Sequence, residues 1–188
     1  TVWAANGIYP GWQAGDQFSL DDPREPAPSP EEVGRGPLPE AMGRFNALRL
    51  VREGVVLEYV VAGTAIREWW TATERNGQAV IERHMEIAAA KTPLRLVLGR
   101  KNAATTMILG ESAGPDSTVL LGEEKSVWTL RVAPHRAPLT IALAFSHRGT
   151  VTAPVPRAIP SAPPAPRWPQ EVTTTVRRST AKDAYVVD

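Results

Sequence analysis

Residues 64–87 read TAIREWWTATERNGQAVIERHMEI, and this stretch decides the fold class. At its centre stands Asn76-Gly77. A two-residue type I′ turn needs positive φ at both central positions, and Asn-Gly meets that need with the least strain. After the turn, Ala79, Ile81, Met85 and Ile87 fall on one face, while Val80, Glu82, His84 and Glu86 fall on the other. A period of two with one charged face predicts a half-buried strand. Before the turn, residues 64–73 have the same period, with Ile66 facing opposite to Arg67. The two runs are therefore predicted to pair as a hairpin. Its register sends Ile81, Met85 and Ile87 to the core and Glu82 and Glu86 to solvent.

The pattern extends in both directions. Leu48 and Leu50 alternate with Ala47, Arg49 and Val51, and after Arg52-Glu53-Gly54 the run from Val55 to Val61 is rich in β-branched and aromatic residues. Such residues suit a pleated, partly buried surface. Downstream, Leu94, Leu96 and Leu98 alternate, as do Val119 and Leu121, Trp128, Leu130 and Val132, and Leu139, Ile141, Leu143 and Phe145. Helical spacing is confined to the short stretch 86–91. The reading is an all-β antiparallel sandwich over residues 45–149, with an irregular Pro/Gly-rich arm at 1–44 and a Pro-rich linker at 150–169. Residues 170–188 read as the start of a following segment or domain. A faint internal echo supports two sheets: Met85-Glu86-Ile87 to residues 93–98 matches Leu130-Arg131-Val132 to residues 138–143 at one constant offset. Two strand, proline-turn, strand units of this kind suit the two layers of a sandwich.

Seven prolines interrupt the arm, each fixing φ and deleting a donor, so it reads as irregular chain. Trp3, Tyr9, Trp12 and Phe18 nevertheless predict that it lies against the body, because a solvated linker has little use for such apolar surface. The 150–169 stretch, with Pro154, Pro156, Pro160, Pro163, Pro164, Pro166 and Pro169, favours extended polyproline II and reads as a semi-rigid spacer.

Composition narrows the function. The chain has 188 residues, 21 basic and 20 acidic, for a formal net charge of +1. That balance is not the footprint of a phosphate-binding surface, so nucleic acid is not an expected partner. Cysteine is absent, which removes disulfides, thiolate metal sites and covalent haem c attachment. No apolar run reaches the ~20 residues of a membrane-spanning helix. The start at Thr1, with no leader pattern, reads as a processed or excised start, and an end in strand-like sequence reads as a cut.

No catalytic, metal or cofactor-binding set emerges. His84, His135 and His147 have no histidine partner at ligand spacing, and His84 between Glu82 and Glu86 reads as part of a solvated strand face. Glu123-Glu124 and Asp21-Asp22 are adjacent acids, which on a strand point to opposite faces and do not form the pair that glycoside hydrolysis requires. Residues 110–114, GESAG, depart from a nucleophile elbow. The residues singled out are Trp3, Trp12, Trp69 and Trp70, as ligand or interdomain contacts. On a strand one indole of Trp69-Trp70 faces in and the other out, so at least one is exposed or covered by another segment. An exposed indole stacks on a sugar ring; a covered one serves packing.

Several blocks, in order, resemble a domain at the front of the large planctomycete-type haem-binding CxxCH proteins. They are Asp22-Pro23-Arg24-Glu25, Gly36-Pro37-Leu38-Pro39, Gly54 to Val61 with Gly63-Thr64, and Lys91-Thr92-Pro93-Leu94-Arg95-Leu96. Trp168 to Thr174 and Tyr185-Val186-Val187-Asp188 are similar to the join that leads, in those proteins, into a quinoprotein-like propeller and then a cytochrome c module. The 27–35 spacer is longer than that pattern. The resemblance implies an exported protein, periplasmic or at the cell surface, whose other domains oxidise sugars and carry haem c. This chain itself would hold no cofactor, and its partner would be the rest of the polypeptide. The expected role is structural and interactive. The alternative is a carbohydrate-binding sandwich using exposed aromatics, and a free-standing hydrolase ranks last.

Overall fold

A computed structural model of the chain describes residues 11–16, 18–20, 39–75, 77–110, 118–147, 149–160, 176–178 and 185–187. Twelve strands and no helix form among them. They are β1 (Gly11–Ala14), β2 (Gly43–Val51), β3 (Gly54–Val61), β4 (Thr64–Arg75), β5 (Gln78–Ile87), β6 (Leu94–Arg100), β7 (Thr105–Leu109), β8 (Val119–Glu124), β9 (Val127–Val132), β10 (Leu139–His147), β11 (Val176–Arg178) and β12 (Tyr185–Val187).

Tight turns set the registers. Arg75 pairs with Gln78 across the two-residue loop at 76–77, as the Asn-Gly signal predicts. Val61 pairs with Thr64 across Ala62 (φ 45°) and Gly63 (φ 80°), and Glu124 with Val127 across Lys125 (φ 49°) and Ser126 (φ 61°). Both central residues being left-handed is the type I′ geometry, whose twist matches that of the flanking strands.

The strands form two antiparallel sheets packed face to face. One has the order β2-β3-β4-β5-β10-β7 and the other β1-β6-β9-β8, while β11 and β12 pair separately. The chain leaves the larger sheet after β5, returns for β7, leaves again for β8 and returns after β9; the first and last of these crossovers are the two halves of the internal echo. Their midpoints, Ala90 and His135, bridge each other with reciprocal backbone hydrogen bonds of 3.0 and 2.8 Å. The His135 ring nitrogens lie 3.0 and 2.9 Å from the Ala88 and Ala133 carbonyl oxygens, one of which accepts the ring N–H. The echo therefore corresponds to a locally two-fold pair of sheet-to-sheet corners.

Between the layers lie Ile66, Met85, Ile87, Leu94, Leu96, Leu130, Ile141 and Leu143, all buried. Met85 and Ile87 face inward as predicted. Ile81 is only half-buried, and the expected solvent-facing carboxylates need correction. Glu82 is 5% exposed, His84 is fully buried, and Glu86 is half-buried. The facing was right; the solvation was not, because residues 150–160 run as extended chain across the outer face of the larger sheet. Pro154 is seated on Gly110, where a Cβ would stand 1.9 Å from the proline carbonyl oxygen, so only glycine admits it. Ile159 is 4% exposed and packs with Val51, Val56 and Trp69, a burial that contributes roughly 1.5–3 kcal/mol.

The arm also adds structure. β1 pairs with β6, which makes it the edge of the smaller sheet. Phe18 and Leu20 pack on Val97 and Val127, with Arg95 and Lys125 set over the Phe18 ring.

Candidate functional site

Three features concentrate chemistry or exposed apolar surface. The first is the cluster under residues 150–160. In the register, His84 lies between Trp69 of β4 and Ala142 of β10, with Glu82 and Glu86 two residues to either side on the same face. The His84 and Trp69 rings are 5.3 Å apart. Arg157 descends from the covering segment and places its guanidinium 4.7 Å from the Trp69 ring centre. One guanidinium nitrogen reaches the Thr71 hydroxyl (3.1 Å), a Glu82 carboxylate oxygen (3.3 Å) and His84 Nε2 (3.1 Å). A guanidinium only donates, so Nε2 accepts, and the ring proton belongs on Nδ1, which is buried without a partner among the described residues. Burial first, and then the Arg157 charge, hold the imidazole below its ordinary range; Glu82 opposes them. Neighbouring contacts extend the cluster. Glu86 accepts from Arg67 (2.8 Å) and from the Ile159 backbone N–H (3.0 Å), and Arg67 donates to the Pro160 carbonyl (2.9 Å).

The second feature is a polar line through the interior. Trp12 Nε1–H donates to the Tyr59 hydroxyl (2.8 Å), and Tyr59 donates to Glu68 (2.5 Å). The Arg83 side chain, 12% exposed, grips the same carboxylate, 3% exposed, with contacts of 2.7 and 2.8 Å. Burial, reinforced by Glu68, raises the Tyr59 phenol far above its normal value. Arg83 also lies 4.9 Å from the Trp70 ring centre. Trp70 meets Phe145 edge-on at 6.0 Å, and both line a cleft of about 180 Å³ where the sheets part. Arg83, Leu98, Arg100, Met107 and Trp128 also stand in its walls. Ligand pockets usually span ~300–1,000 Å³, so this cleft is small for a substrate.

The third feature is apolar. β2 is an edge of the larger sheet, and Phe45, Leu48 and Leu50 pair in register with Tyr59, Leu57 and Val55 on the inner face. A bulge between Phe45 and Ala47 keeps Phe45 in phase with the two leucines. They are 62%, 55% and 57% exposed.

The singled-out tryptophans separate. Trp3, with Tyr9, lies outside the described residues. Trp12 packs half-buried on the core and bonds Tyr59. Trp69 points to the outer face yet is 5% exposed, because residues 150–160 cover it. Trp70 points inward yet is 38% exposed, because it stands at the open end. The reading of His84 as part of a solvated face is overturned by the same cover. Of the remaining candidates, Glu123 pairs with Lys101 and Glu124 with Arg95, while Asp21-Asp22 and residues 111–114 lie outside the described residues. The Glu68–Arg83 pair went unread in the sequence. Its one signal was a charged residue in each strand on the face that carries Ile66, Met85 and Ile87.

Among the described residues no group of three His, Asp or Glu is placed to hold a metal ion, and no helix is long and apolar enough to cross a membrane. A family described as a domain of unknown function, DUF6797, matches residues 1–68. The match ends inside β4 and takes in β1, β2 and β3 of the sandwich. Searches of curated proteins and of solved structures find no match.

Proposed function

We propose that this chain is a non-catalytic structural and interaction domain of an exported, multidomain, haem- and quinoprotein-like oxidoreductase that acts on sugars through its other domains. Haem c belongs to the parent protein or a partner. The observation that carries the interaction role is the apolar inner face of β2. An edge strand with three large hydrophobics in phase and more than half exposed is the surface that natural proteins cover with another element or partner. The occupant proposed is the propeller-like domain expected to follow. The polar clusters support a non-catalytic role, since Glu68 is paired with Arg83 and Glu82 with Arg157, and acid–base chemistry requires a group within reach of a substrate proton.

The experiment compares hydrogen exchange of peptide 43–51 in this chain alone and in the full polypeptide. Slower exchange in the full polypeptide, reversed by Leu48→Glu with Leu50→Glu, supports the reading. Equal exchange in both overturns the docking role. One observation favours a second reading, a carbohydrate-binding module: Trp70 is 38% exposed beside Phe145, and such aromatic surface suits the apolar face of a sugar. Polysaccharide binding lost in Trp70→Ala without loss of stability selects that reading.

A further inference from the structure

Residues 150–160 are held to the sheet by side-chain and isolated backbone contacts, and one of them is a contact between a cation and a neutral imidazole. We propose that this segment is a pH-released strap: protonation of His84 expels Arg157, frees the segment around it, and uncovers the Trp69 face. Such a switch is independent of the docking role of β2.

A hydrogen bond from the Arg157 guanidinium requires an unprotonated Nε2 on His84. Arg157 donates to His84 Nε2 at 3.1 Å. A proton on that nitrogen turns an acceptor into a donor and sets two positive charges in contact, one of them on a ring that water does not reach. The other charges do not absorb the change. On β5, Glu82 is 3.4 Å from His84 Nε2 and 3.3 Å from Arg157, so it is shared between the two cations. Glu86 is held by Arg67 and the Ile159 N–H, and Arg67 is also paired with Glu58 of β3. β10 presents Ala142 opposite His84 and adds no charge.

Exposure decides which cation leaves. The His84 side chain is fully buried on a central strand and cannot reach water, while the Arg157 side chain is 48% exposed. A protonated His84 is then left paired with Glu82, and Arg157 swings outward. The 150–160 segment forms no strand, so no ladder of backbone bonds resists its release. Arg157 also loses its place over the Trp69 ring, which opens that indole to solvent.

The test is an NMR titration of the whole chain between pH 8 and pH 5, following the His84 ring and the backbone amides of Arg157 and Ile159. The expected result is that the strap amides shift with the His84 midpoint. Protection of the Ile159 amide falls by about tenfold for every pH unit separating the ring's midpoints in the closed and open forms. In His84→Gln the strap signals stay constant across the range. In Arg157→Gln, whose substituted side chain is half in solvent, the His84 midpoint moves up toward 6.5, the ordinary histidine value. Strap signals that ignore the His84 titration, or that respond equally in His84→Gln, overturn the proposal. Should His84→Gln fail to fold, an unchanged His84 midpoint in Arg157→Gln overturns it alone.

Discussion

Glu68 shows how one residue fixes the interior. Its carboxylate is taken out of water and repaid by Arg83 and the Tyr59 hydroxyl, an arrangement that is costly to break on one side. Glu68→Leu is expected to destabilise the fold by about 3 kcal/mol, because it leaves the Arg83 charge buried and unpaired; adding Arg83→Leu should recover most of that loss. Urea unfolding of the single and double variants checks the pair. Trp12→Ala removes a half-buried indole and the donor to Tyr59, with an expected cost of about 2–3 kcal/mol by the same measurement. His84 sets the pH response. An unfolded histidine protonates near 6.5 and the buried His84 ring protonates lower, so between those values the unfolded chain binds more protons. Stability is full above about pH 6.5 and falls as the pH drops through the lower folded value. Urea midpoints at pH 7.5 and 5.5 should differ more in the parent chain than in His84→Gln.

At the scale of elements, the turns were legible and the cover was not. Asn76-Gly77 announces a two-residue hairpin because the constraint is local, and alternation on β5 assigns each side chain to a face. What lies over that face is a tertiary fact. His84 appeared solvated because its covering residues, Arg157 and Ile159, stand more than seventy positions away, in a Pro-rich stretch whose composition suits a free spacer and a packed strap equally. β7 escaped notice for a related reason: Met107-Ile108-Leu109 is too short to alternate, and its partner is the distant β10. The Lys125-Ser126 turn carried no Asn or Gly signal, yet it adopts a left-handed pair. Ser126→Gly should therefore stabilise the β8–β9 hairpin by about 0.5–1 kcal/mol, read as a rise in thermal midpoint. Gly110→Ala should do the opposite to the strap. The added methyl displaces Pro154, and hydrogen exchange across 150–160 should quicken while β9 is unaffected.

The whole molecule is a sandwich whose two sheets are unequal. The four-stranded layer covers β4, β5 and β10 but leaves the inner face of β2 open, and that inequality is the origin of the exposed Phe45, Leu48 and Leu50. A domain that serves a neighbour has reason to present such a face. The neighbour proposed for it belongs to the same exported haem-containing polypeptide. Capture of the native protein with an antibody to this domain, followed by intact mass and an absorption spectrum, tests that proposal. A polypeptide far larger than the 20.4 kDa of this chain is expected, with the absorption bands of c-type haem in the same molecule or its stable complex. A native 20.4 kDa chain recovered alone and colourless would contradict it.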